Sequence, residues 1–165
     1  MRRLFFLLLF PIAAHSQIVK TEDLQPYTTW EYYRQEIPSF AAMFVSGMAD
    51  GLNQTLEFHY SDFQRIFPKA NPQYWNPAIS WTNKYKYHNQ FAGPAYPGST
   101  TTLVGLTDAY HMTRTIEHGF IVTAIYFKIS IGESKKVWQY VLEALSYLAV
   151  NRLGMVLVYN GFQIK

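Results

Sequence analysis

The chain of 165 residues contains no cysteine. Disulfides and thiolate metal ligands are therefore excluded, and the fold must hold by packing alone. Charge is also scarce: Asp, Glu, Lys and Arg make up 15% of the residues, against ~25% in an ordinary soluble domain. The basic residues behind the net charge of +3 are scattered. With no Lys/Arg-rich run and no recognisable binding motif, nucleic acid is not an expected partner. Neither the HExxH pattern nor the ExxH pair of di-iron bundles occurs.

What the chain has instead is aromatic residues, 18% of the total. Together with the low charge, they indicate a chain that buries or inserts much of its surface. The length suits one domain with a sizeable core. The N-terminus has the form of a secretion signal: Arg2 and Arg3, then the apolar run LFFLLLFPIAA, then Ala14-His15-Ser16. Small residues at 14 and 16 place the cleavage after Ser16 and leave Gln17 as the new terminus. The apolar run falls short of the ~20 residues of a spanning helix. No cysteine follows it, so a lipid-modified terminus is not expected.

The remaining chain, 17–165, reads as a single all-α domain. Residues 17–38 form a polar arm with Tyr27, Trp30, Tyr32 and Tyr33, bracketed by Pro26 and Pro38, and Thr28 or Thr29 can cap a short helix there. Residues 39–67 form an amphipathic helix with Ser39 as N-cap and Pro68 as its stop. Its apolar stripe is Val45, Met48, Leu52, Leu56, Phe63 and Ile66; Ser46, Asp50, Asn53, Glu57 and Gln64 oppose it. Gly47 and Gly51 make a GxxxG within a run of small residues, which permits close approach of a neighbouring helix.

Residues 68–102 change character. Proline, glycine and two Asn-Pro pairs predict a loop excursion with turns, and ordered loops of this length are usually functional. Its aromatic residues, Trp75, Trp81, Tyr85 and Tyr87 among them, suit either a ligand or partner groove or a belt at headgroup depth. Pro97-Gly98-Ser99-Thr100 precedes a helix and offers an anion site there.

The next helix is expected over 103–131. Its first half, TDAYHMTRTIEHGF at 107–120, concentrates the ionisable groups of the chain. Asp108, His111, Arg114 and His118 share about one third of the helix circumference, and Glu117 lies off that stripe. From Phe120 to Phe127 the helix is apolar on every face. Gly132 and Ser134 predict a turn, and the last helix covers 137–163, long enough to cross a bilayer, with Glu143 and Arg152 its only charges.

The Asp/His cluster has three readings, one of them proton or ligand handling by two histidines near a carboxylate. As a divalent-metal site it would use Asp108 and His111, complemented by Asp50 and Glu57 of the earlier helix. His118 lies seven residues from His111, ~10.5 Å along a helix axis, too far to share the ion. Catalytic use would fall to Asp108, His111, His118 and Arg114, in a small membrane-embedded metal-dependent hydrolase. The third reading is a polar seam between helices, with Arg114 paired to Asp108 or Glu117, and with Asp50, Asn53 and Glu57 bonded to the histidines.

Charge placement predicts a topology. By the positive-inside rule, Arg2 and Arg3, and likewise Lys128, Lys135 and Lys136, lie in the cytoplasm. Residues 17–102 would then lie outside, and the last two helices would form a membrane hairpin. Mean hydropathy is −0.09, so the charges inside each span need partners.

The Ser-Gln at the signal's end, ADGLNQTLEFHY, WNPAISWTNKYK and GSTTTLVGLTDAYH together resemble a group of small exported or membrane proteins of Bacteroidetes-type bacteria. The resemblance covers about half of the mature chain and implies an address, with no chemistry attached. The expected protein is an envelope component, at the inner membrane or in the periplasm, with membrane lipid and a protein as partners, and structural or binding in role.

Overall fold

A computed structural model describes residues 29–131 and 136–164. The proposed signal at 1–16 lies outside the described residues, as does the arm up to residue 28. The fold is all-α, and no strand occurs among the described residues. Among the described residues six α-helices follow in order: α1 (Thr29–Phe58), α2 (Tyr60–Ile66), α3 (Pro72–Trp75), α4 (Pro77–Ser80), α5 (Ala109–Ile131) and α6 (Val137–Gln163).

The long helix α1 corrects the expected boundaries. The short arm helix and the 39–67 helix are not separate, because α1 runs through Pro38 and ends at Phe58. An internal proline removes one backbone hydrogen bond and crowds the preceding turn, at a cost of ~3 kcal/mol. Anchors on both sides of Pro38 offset this. Glu36 bonds Lys128 of α5 and Tyr147 of α6, and the Ser39 hydroxyl donates to the Ala124 carbonyl of α5 at 3.2 Å. Ser39 is thus an interhelical contact and not an N-cap. The break comes instead at His59, whose φ of −136° leaves the helical region before α2 restarts the chain.

The excursion at 68–102 is more regular than a loop. Each Asn-Pro pair starts a one-turn helix: the Asn71 side chain accepts from Gln73 N and that of Asn76 from Ala78 N, both at 3.0 Å, while Pro72 and Pro77 occupy the first helical position. Short 3-10 turns follow at Trp81–Lys84, Lys86–His88 and Gln90–Ala92. The expected helix at 103–131 begins six residues later, because Asp108 caps α5; before it, Val104–Leu106 is a 3-10 turn.

Side-chain bonds set the helix directions. Asn53 reaches Tyr110 and Thr113, while Ser39 reaches Ala124, so α5 runs antiparallel to α1. Glu36 meets Tyr147, Ser46 meets Asn151, and Arg65 after α1 meets Phe162, so α6 runs parallel to it. Both α5 and α6 therefore pack along α1, in an up-down-up order with α1 against both partners.

What the bundle buries is mostly small or polar. Ser39, Ser46, Asn53 and Thr55 of α1 are fully enclosed, as are Thr113 and Ala124 of α5. The apolar cluster of Leu56, Phe63 and Ala109 sits at one end. The α1–α6 contact is close enough to need glycine. A Cβ on Gly51 would lie 2.5 Å from the Met155 carbonyl oxygen, and one on Gly47 or Gly154 would collide with the backbone of Asn151 or Phe44. The GxxxG of α1 is thus matched by Gly154 on α6, as in membrane helix pairs.

Candidate functional site

The polar face of α5 begins with its cap. Asp108 is fully buried; Oδ1 accepts from His111 N at 2.9 Å, and Oδ2 accepts from Thr107 Oγ1 at 2.9 Å. His111 Nδ1 lies 2.7 Å from the same Oδ2. Oδ1 therefore caps the helix, a role worth about 0.5–2 kcal/mol, while Oδ2 holds the Thr107 and His111 side chains. Asn83 ties the preceding segment to this point, donating to the Thr107 carbonyl at 3.0 Å and the Gln73 carbonyl at 2.7 Å.

One turn further, Arg114 connects two helices. Its Nη1 is 2.9 Å from Glu117 Oε2 and 3.4 Å from Asp50 Oδ1 of α1. Asn53 completes the seam by donating to Thr113 Oγ1 at 2.8 Å and the Tyr110 carbonyl at 3.0 Å. Asp108 and His111 thus come together, and Arg114 joins Asp50 with Glu117. Glu57 and His118 are exposed and join neither group. No set of three or more His, Asp or Glu residues positioned for a metal occurs among the described residues. Ser99, the candidate anion ligand, is buried and donates its hydroxyl to the Lys84 carbonyl at 2.7 Å, so it braces the turn.

A second polar cluster went unseen in the sequence. At the other end of the bundle, Lys128 of α5 bonds Glu36 of α1 and lies 3.0 Å from Glu143 Oε2 of α6; Tyr147 donates to Glu36. Glu36 is only 2% exposed. The available signal was the rarity of charge in these helices, since an isolated Glu143 demands a cation. Glu36 escaped notice because it fell in the supposed arm.

The four loop aromatics separate. Trp75 turns inward and stacks on Phe63, with ring centroids 5.0 Å apart. Trp81 packs edge-on against Tyr85, and the Lys84 ammonium lies 5.6 Å from the Tyr85 ring centre. Tyr87 is 91% exposed at the tip of the segment. Its φ of 55° and that of His88, 56°, place two consecutive non-glycine residues in the left-handed region, at ~1–2 kcal/mol each.

Between the ends of α5 and α6 lies an apolar groove of about 830 Å³. Val45, Met48, Ala49 and Leu52 of α1 form its floor. Met112 and Ile116 line it from α5, Val158 and Phe162 from α6. Phe63 lines it from α2, and Lys69 and Trp75 from the excursion. Comparison with protein-family models, curated proteins and solved structures finds no match for this chain.

Proposed function

We propose that this chain is a membrane-associated envelope protein, structural or binding in role, held in lipid by the outer faces of its helices. The observation that carries the reading is the reversal of burial across the bundle. Serine, threonine, asparagine and small residues fill the interior, while large aliphatic side chains face out. On α6 the exposed set includes Leu142, Leu145, Leu148, Leu153 and Leu157. Water would charge ~25 cal/mol for each Å² of that surface; lipid would not.

Three further features support it. Helix α6 is the one helix among the described residues that is long and apolar enough to cross a membrane. Outward hydroxyls are satisfied within their own helix: Thr115 donates to the His111 carbonyl and Ser146 to that of Leu142, both at 2.8 Å, so neither needs water. The tip with Lys86, Tyr87, His88 and Phe91 offers exposed aromatic and basic groups suited to an anionic headgroup layer. Arg152 is exposed on α6 and is the charge this reading must carry, at roughly 2.5–3.5 kcal/mol in mid-bilayer.

The test is fractionation of cells expressing the full chain. The protein is expected to stay with the membranes through an alkaline carbonate wash and to leave only with detergent. Release into the carbonate supernatant would sink the reading.

A further inference from the structure

We infer that the groove between α5 and α6 takes a single fatty-acyl chain with an anionic end, drawn from the surrounding lipid; the source of the ligand rests on the membrane reading above.

The shape of the site argues for a chain. The groove volume of about 830 Å³ lies in the range of ligand sites, ~300–1,000 Å³. The lining is almost wholly carbon. Thr113 carries its one hydroxyl, which is already bonded to Asn53 and Tyr110. A ligand with polar groups along its length would leave them unpaired there, at ~1–3 kcal/mol each. An aliphatic chain makes no such demand.

Lys69 supplies the orientation. It is exposed, lines the groove, and makes no ion pair among the described residues. An anionic head placed beside it leaves the tail to run over Leu52, Ala49 and Val45, with the Phe63–Trp75 ring stack alongside. The groove is also continuous with the exposed apolar surface, since its lining residues Met48, Ile66, Phe67 and Ile116 are all exposed. A chain can therefore enter sideways from lipid without crossing water.

Trp75 makes the proposal measurable. Full-length protein in an uncharged detergent, with Trp30, Trp81 and Trp138 replaced by Phe, keeps Trp75 as the reporter. The probe is stearate brominated at mid-chain, a heavy-atom quencher, with the equally brominated alcohol as the uncharged control. Quenching by the acid is expected to saturate. The half-saturation point should rise about threefold for the alcohol, and likewise for the acid with Lys69→Ala, as befits an exposed ion pair. Filling the groove by Ala49→Leu, or from the opposite wall by Ile116→Phe, should weaken the saturable component at least tenfold at unchanged helicity. Quenching that grows in proportion to probe and is equal in all variants is partitioning into detergent, and overturns the assignment. So does equal half-saturation for acid and alcohol, or a dimer that shields Trp75 from probe, which would give the groove to a second copy. The carbonate wash bears on the membrane reading separately. A protein that washes off yet quenches saturably keeps its groove, and one that stays bound with linear quenching loses it.

Discussion

Single side chains on this protein are tuned by the buried ends of their neighbours. The Tyr74 hydroxyl donates to the Met112 sulfur at 3.1 Å. Burial pushes its pKa above the ordinary tyrosine range, and the nearby Asp108 charge raises it further; burial does the same for Tyr60. A raised phenol pKa adds stability that is fully present below the unfolded value of ~10 and is lost as pH climbs toward the folded value. Tyrosinate absorbance should therefore show late-ionising phenols in the folded protein, one fewer in Tyr74→Phe. The fall in unfolding temperature above pH 10 should be shallower in that variant. Loss of a phenol that ionises near the ordinary value of ~10, with the late-ionising set unchanged, would mean that Tyr74 is solvated. The residue scale was also where the sequence was most readable. The clustering of Asp108, His111 and Arg114 marked a real polar region, but spacing could not say that Asp108 spends one oxygen on a helix cap and the other on the Thr107 and His111 side chains.

At the scale of the element, glycine decides how close the helices come. Gly47 and Gly51 bring α1 against the backbone of α6, whereas a Cβ on Gly119 of α5 would meet nothing within 4 Å. Gly47→Val is expected to lower stability by about 3 kcal/mol or more, since overpacking at backbone contact has no side chain to yield. Gly119→Ala should be neutral or slightly stabilising through helix propensity. Thermal unfolding in detergent distinguishes them, and equal effects would remove the close contact from consideration. The positions of α5 and α6 were legible from apolar runs, and α6 matches its expected range. The length of α1 was not. Pro38 looks like punctuation when only local rules are applied, and the contacts that carry α1 through it join Ser39 and Glu36 to residues 85 and 92 positions further on. The inward facing of Ser46 and Asn53 was illegible for a related reason: an amphipathic pattern states that two faces differ, and the solvent decides which one is hidden.

For the whole molecule, the order up, down, up places the start of α1 at the same end as the α5–α6 connection, and 59–108 at the other. The absence of native cysteine makes this directly readable. On the proposal that the bundle crosses a bilayer, Arg34→Cys and Lys136→Cys should react with an impermeant maleimide from the same side of intact vesicles, and Lys86→Cys only from the opposite side. Labelling of 34 and 136 from different sides would rule out α1 running parallel to α6 in the membrane. The direction of α1 also sets two sequence signals against each other. A cleaved leader delivers Gln17 outside, and with it Thr29; in a bilayer-crossing bundle Lys128 and Lys136 follow to that side. A cytoplasmic position for those lysines keeps Thr29 inside, and the apolar run at 4–14 then acts as something other than an export signal. Which face of the vesicle labels Lys136→Cys therefore also reports the fate of the first sixteen residues.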